Sequence, residues 1–379
     1  MTHEPMPLNP PPYGSGTLPD LACSLLASLR VAGEPNVLGL PPAERVCLLV
    51  VDGLGWELLR ESQAAAPFLS ELAATGGPIS AGFPATTVTS LGSLGTGRPP
   101  GGHGMLGYQV ARPGAGKLLN ALRWDPEVDP VAWQPAPTIF QRATADGVHA
   151  SYVGPSVFRG SGLTIAFARG VDYRGANSLG ELAARAQETL RSGPRGRRLT
   201  MVYHGHLDAT GHAYGIDSDA WRYELAHVDK LAEQLATGLP EGSVLYVTAD
   251  HGMVDVGPDD KIDVDNVPAL REGVALLGGE PRARHVYTRP GAAADVLAAW
   301  RAVLGGRVCV LPRQEAIAQG WFGAVAPEFE ARIGDVVAAP YGAAAVIATK
   351  TEPLESRLVG MHGSLTHDEQ LVPLLTLST

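Results

Sequence analysis

Cysteine is scarce in this chain, with only Cys23, Cys47 and Cys309 among 379 residues. Odd in number and far apart, they build neither a disulfide framework nor a thiolate zinc site. Basic residues are also in deficit: 29 Lys and Arg face 39 Asp and Glu, for a net charge of −10. No basic stripe is present to release counterions from DNA or RNA, which excludes a nucleic-acid polymer as a bulk partner. No apolar run reaches the roughly 18 residues that a membrane span needs. The opening Met1-Thr-His-Glu-Pro-Met-Pro shows neither the basic nor the apolar stretch of a secretory leader. The expectation is a cytoplasmic protein with no membrane partner. Internal repeats and low-complexity tracts are missing too.

What is present is an ordinary globular composition, 45% hydrophobic and 18% charged, long enough for two domains or one large domain with insertions. Residues 1–20, rich in Pro and Gly, read as an extended arm, and Leu21 to Val31 as a short helix. Val46-Cys-Leu-Leu-Val-Val51, Leu199-Thr-Met-Val-Tyr203 and Ser243-Val-Leu-Tyr-Val-Thr248 are apolar runs of the kind that forms strands buried on both faces. Helical patterns at 56–74, 138–146, 178–191 and 218–235 alternate with them. The predicted fold class is α/β, a mostly parallel central sheet flanked by helices, with a small α+β cap insertion. The core covers 21–254 and 341–379, and the cap covers 255–340. Residues 108–135 have no clear period and read as a loop-rich excursion.

Each of the three apolar runs leads to an aspartate: Asp52, Asp208 and Asp250. In an open parallel sheet, ligands gather outside the carboxyl ends of the strands. Three carboxylates there are tolerable only if cations neutralise them. Imidazoles stand close by. His212 lies four residues after Asp208, His251 adjoins Asp250, and His362 sits in the small-residue turn Gly360-Met-His-Gly-Ser364. Carboxylates and imidazoles without thiolates favour zinc over manganese or iron. The segment Phe83-Pro-Ala-Thr-Thr87 adds hydroxyls before a helical stretch, where unpaired backbone N–H groups suit an anionic oxygen.

The ordered set Asp52-Gly, Phe83-Pro-Ala-Thr-Thr, Thr96-Gly, Pro100-Gly-Gly-His-Gly, Asp208-Ala-Thr-Gly-His, Asp250-His-Gly-Met and His362-Gly resembles the alkaline phosphatase superfamily, in its nucleotide pyrophosphatase/phosphodiesterase branch. The resemblance runs from about Val46 to the C-terminus. It implies two divalent metal ions, usually zinc. Asp208, His212 and His362 match the ligands of one ion. Asp52, Asp250 and His251 match those of the other, which the nucleophilic hydroxyl also coordinates. The family's nucleophile precedes the Thr-Gly pair by nine residues, which selects Thr87, with Thr86 as the fallback. The sulfatase branch is disfavoured because the segment lacks its Cys-x-Pro-x-Arg pattern.

What the resemblance implies is a metal-dependent phosphodiesterase or pyrophosphatase that works through phospho-threonine on a small phosphorylated, nucleotide-like substrate. A monoesterase, a phosphonate hydrolase and an inactive binder of phosphorylated ligands are the alternatives. Tyr108 stands where the family carries an Asn whose amide binds a phosphoryl oxygen. Tyr108, Asn120, Arg123 and Trp124 are therefore the substrate-contact candidates, with Trp124 either stacking on a base or anchoring a loop. His204 and His206 flank the ligand segment, either supporting the ligands or touching substrate, or as exposed strand-end histidines. His103 is expected to shape its turn, and His227, Asp229 and Lys230 to lie on a solvated helix face.

Overall fold

The apolar run after Glu44 forms the strand Arg45–Val51 at the heart of a seven-stranded sheet. A computed structural model of the chain describes residue 8, residues 10–191 and residues 196–379. Across the sheet the strands run in the order Gly77–Ser80, Leu371–Ser378, Ser243–Ala249, Arg45–Val51, Arg198–His204, His149–Pro155 and Asp172–Ala176. The last five are parallel, and Leu371–Ser378 is antiparallel to both of its neighbours. Arg198–His204 and Ser243–Ala249 are buried along their whole length, because helices such as Leu179–Arg191 and Asp219–Gly238 cover the faces of the sheet. The expected mostly parallel α/β sheet is therefore present. No helix among the described residues is long and apolar enough to cross a membrane.

A second, antiparallel sheet comes from the region read as the insertion. Its order is Val274–Glu280, Ala283–Thr288, Val336–Pro340, Val308–Pro312, with the helix Ala293–Leu304 against it. Trp300 is fully buried in its core, together with Val286, Val296 and Val336. Val274–Glu280 and Ala283–Thr288 form a hairpin turning at Pro281 and Arg282. Ala345–Ile347 pairs with Lys261–Asp263, so this lobe draws on residues beyond 340.

Other expectations shift for local reasons. The 56–74 helix is two helices, Trp56–Glu61 and Pro67–Ala73. Pro67 lacks an N–H and suits only a first turn, so it restarts the helix. Asp229, expected on a solvated face, is buried and accepts from the backbone N–H groups of Phe68 and Leu69, capping that second helix. The N-terminal segment is not a free arm from Pro10 onward. Tyr13 donates to the Trp321 carbonyl at 3.0 Å and accepts from Phe83 N–H at 3.1 Å, and the first helix already spans Leu18–Ser28. Residues 1–7 and 9 of that expected arm lie outside the described residues. Within 108–135 the chain makes a hairpin, Gln109–Arg112 against Lys117–Asn120, rather than an irregular loop.

Candidate active site

The parallel register sets Val51 level with His204 on one side and with Ala249 on the other. The residues that follow these strands therefore emerge side by side. Asp52 and Asp250 leave the strand ends directly, and Asp208 rises from the first turn of the helix His206–Tyr214. Gly53 makes this approach possible. It adopts φ +77°, and a β-carbon there would stand 3.0 Å from that of Asp208. At Gly252 a β-carbon would lie 1.8 Å from the Asp368 carbonyl oxygen, which excludes any other residue after His251.

Thr87 opens the helix Thr87–Thr96, with Thr86 at the capping position. The Thr87 hydroxyl lies 3.5 Å from Asp52 Oδ1 and 3.3 Å from His251 Nε2. Ser90, one turn on, donates to the Asp250 carbonyl at 2.6 Å and ties this helix to the strand end. The two threonines differ in environment. Thr86 is buried and neighbours Glu280, whereas Thr87 faces the cleft between the carboxylates and imidazoles.

The six acid and imidazole candidates converge. Asp52, Asp250 and His251 offer ligand atoms all within 4.8 Å of one another, as do Asp208, His251 and His362. His212 joins through Asp208, with Nε2 to Oδ2 at 3.3 Å, and its ring centroid lies 5.1 Å from that of His362. Three observations bear on whether the cluster suits metal ions. Asp208 Oδ1 and Asp250 Oδ2 are buried with no hydrogen-bond partner among the described residues, a costly state unless a cation faces them. Each imidazole turns Nδ1 to a backbone carbonyl: His212 to Gly360, His251 to Gly252 and His362 to Ala85, at 2.7, 2.9 and 2.8 Å. A carbonyl only accepts, so Nδ1 carries a proton and Nε2 is the atom turned toward the carboxylates, the orientation that metal-binding histidines use. The electrostatics agree. Burial, and then the neighbouring Asp52, push the Asp250 carboxyl up to about 7. Burial also raises Asp208, and it lowers His362, with His251 adding to the effect. Burial alone would depress His251, but Asp250, Asp52 and Asp208 around it hold it well above the usual range. The donor set fits divalent cations.

Two cavities meet at Thr87. One, of about 270 Å³, is lined by Tyr108, Asn120, Leu122 and Arg123 from the hairpin region, Glu280 and Pro281 from the small lobe, Glu355, and the metal-ligand candidates Asp208, His212 and His362. The other, of about 460 Å³, is lined by Asp52, Asp208, Tyr203, His204, His206, Asn177 and an apolar wall of Val157, Phe158 and Leu179. Tyr108 lines the first cavity, but its hydroxyl is engaged. It donates to Glu355 Oε1 at 2.7 Å and accepts from Gln109 Nε2 at 2.8 Å. Asn120 spends only its oxygen, capping the Leu122 and Arg123 N–H groups at 3.0 Å, and its amide NH2 bonds to no described residue. Trp124 is a loop anchor and not a stacking platform. Its indole donates to the Val128 carbonyl at 2.7 Å and lies so close over Gly162 that a β-carbon there would collide with the ring. His103 is buried in its turn, near Ser93 and the Met105 N–H, as expected.

Several site residues had no signal in the sequence. Glu280 ends a strand of the small lobe and is buried at the cavity wall with Oε1 unpartnered; burial pushes it up to about 8. Tyr203 donates a short hydrogen bond to Asp52 Oδ2. Neither residue belongs to a motif, and both reach the site by tertiary packing alone.

Residues 46–365 match the family of type I phosphodiesterases / nucleotide pyrophosphatases. The chain belongs to this family. An uncharacterized pyrophosphatase/phosphodiesterase of Schizosaccharomyces pombe is 25% identical over 194 residues, 49% of this chain and 39% of that protein. The chain thus spans about two fifths of this curated relative. Murine ectonucleotide pyrophosphatase/phosphodiesterase 5 has a similar fold, with a TM-score of 0.71, 20% identity and 88% of each chain covered. So does phosphonoacetate hydrolase from Sinorhizobium meliloti, in complex with phosphonoformate, with a TM-score of 0.66, 21% identity, and coverage of 89% of this chain and 90% of that one.

Proposed function

We propose that this chain is a metal-dependent phosphodiesterase or nucleotide pyrophosphatase that acts on small nucleotide-like substrates through a phospho-threonine intermediate at Thr87. The observation that carries the reading is the placement of Thr87 where two cavities join. A phosphorus atom at its hydroxyl would have room for an organic group on either side, as a diester needs and a monoester does not. A complex with AMP of the inactive murine phosphodiesterase 5 also supports a nucleotide-like substrate.

Asp208, His212 and His362 would hold one divalent ion, and Asp52, Asp250 and His251 the other, with zinc favoured by the nitrogen and oxygen donors. Such ions, when bound, neutralise charge on the phosphoryl oxygens and lower the pKa of a bound hydroxyl. Asp52 and His251 position the Thr87 hydroxyl at the mouth of the helix, where the unpaired N–H groups of the first turn favour an anionic oxygen. Thr87 Oγ1 forms its bond to phosphorus as the bond to the leaving oxygen breaks. Water then hydrolyses the phospho-threonine, restoring the hydroxyl. The Asn120 amide NH2 lines the same cavity unpaired and takes the phosphoryl-oxygen contact that Tyr108 is not free to make. The reading includes a cytoplasmic location, supported by three cysteines that remain free thiols.

The test is hydrolysis of bis-p-nitrophenyl phosphate against p-nitrophenyl phosphate by zinc-loaded protein. A clear preference for the diester is expected. Preference for the monoester would turn the reading to a monoesterase, and inertness toward both would turn it to a binder.

A further inference from the structure

A second group of metal-type donors lies outside the six residues already assigned. His204 closes the strand Arg198–His204, His206 opens the following helix, and Glu224 projects from the long helix Asp219–Gly238. One ligand atom from each lies within 4.8 Å of the others. His204 Nε2 is 2.9 Å from Glu224 Oε1, and the His204 and His206 ring centroids are 5.3 Å apart. We propose that His204, His206 and Glu224 form a third divalent-metal site, selective for a nitrogen-favouring ion such as zinc.

Several features go beyond a simple hydrogen-bonded pair. The elements are rigidly set: Ser218 caps the long helix through the Trp221 N–H at 3.1 Å, and the strand end is registered in the sheet. His204 is buried, which fixes its ring, while His206 is exposed to the cavity. Glu224 has an outer partner of its own, with His227 Nδ1 at 3.6 Å from Oε2, the kind of support that ligating carboxylates commonly have. Two imidazoles and one carboxylate are the ligands of an open site, which keeps a fourth position for water or substrate. Coordinate bonds of about 2.0–2.2 Å in tetrahedral geometry place ligand atoms about 3.3–3.5 Å apart. Loading therefore needs the His204–Glu224 contact to open by only about half an ångström.

The open position faces the larger cavity, where both His204 and His206 line the wall with Thr87. None of the residues lining that cavity is Lys or Arg. An ion there would add a cationic group apart from those proposed at Asp52 and Asp208, and it would take an anionic oxygen beyond the scissile phosphorus, such as a second phosphate or a carboxylate. This assignment of the ion's ligand rests on the proposed hydrolase reading, whereas the metal site itself does not.

The test is metal counting by elemental analysis after dialysis of the full chain against buffered micromolar zinc, with cobalt as a spectroscopic substitute. Wild type should hold about three ions, and His206→Ala and Glu224→Gln about two each. His206 is exposed and Gln is isosteric with Glu, so both variants should fold, which circular dichroism would verify. Asp208→Asn should lose an ion from the other cluster while keeping the one at His204, His206 and Glu224. An equal count in wild type, His206→Ala and Glu224→Gln overturns the third site, and leaves the hydrolase reading to the Asp208→Asn result and the diester assay.

Discussion

The floor and the walls of the cleft are built on different principles. On the floor, Asp52, Asp208 and Asp250 follow three adjacent strands whose ends are level, and His251 is locked by the close approach of Gly252 to Asp368. The positions there are set by backbone register and by close approaches at Gly53 and Gly252 that leave no room for a larger residue. On the walls, Tyr108, Asn120 and Arg123 come from a hairpin, Glu280 from the small lobe, and Phe158 and Val157 from a loop after a strand. These groups lie outside the seven-stranded sheet and are held by side-chain bonds such as Tyr108 to Glu355. On the proposed reading, chemistry sits at the strand ends and substrate contact on the hairpin and the small lobe, as expected when loops carry specificity on a fixed scaffold.

The sharpest break between floor and walls is Thr87→Ala. It should lower turnover about a thousandfold or more, because no other described hydroxyl lies between Asp52 and His251, while metal content stays near wild type. Rapid acid quench and mass spectrometry should find the phosphoryl group on Thr87 in the wild type. Modification of Thr86 instead would shift the register by one residue.

Metal removal should expose the electrostatic cost of the floor. Asp250, raised to about 7, and Glu280, raised to about 8, favour their protonated forms in the metal-free fold. An acid whose folded pKa lies above its unfolded value of about 4 contributes stability that is complete below that value and is lost as pH rises through the folded pKa. Chelator-treated protein should therefore melt at progressively lower temperature between about pH 5 and about pH 8. Loaded protein should not follow, since bound ions offset the ionised carboxylates. Thermal melts with and without chelator measure the gap, and a gap that stays constant with pH would remove the unpaired carboxylates as its source.

The wall substitutions should be milder and should separate from one another. Asn120→Ser keeps an acceptor for the Leu122 and Arg123 N–H groups but removes the free amide. Losing one donor to developing charge costs about 2.7–4 kcal/mol, so turnover should fall about a hundredfold to a thousandfold. Trp124→Ala should spare turnover and lower stability by about 2–3 kcal/mol in urea melts, because its indole fills the space over Gly162. Tyr108→Phe should be the smallest, within about threefold in kcat on a diester, since its hydroxyl serves Glu355 and Gln109. A large Tyr108 effect together with a silent Asn120→Ser would exchange their roles.

By itself the sequence singled out the parallel sheet, the six acid and imidazole candidates, and the hydroxyl pair Thr86 and Thr87. These are legible because each depends on short-range pattern: an apolar run that ends in Asp, a His one or four residues later, and a hydroxyl at the start of a helix. Only the tertiary structure decided between a solvated and a buried Asp229, between a free and an engaged Tyr108, and between a stacking and an anchoring Trp124. It alone brought Glu280 and Tyr203 to the site and set Glu224 against His204. Asp229 meets Leu69 and Tyr108 meets Glu355 across more than a hundred residues of chain, and Glu280 meets His362 across 82. No local periodicity encodes such a pairing, which exists only once the sheet has closed and packing has chosen which polar groups share a buried space.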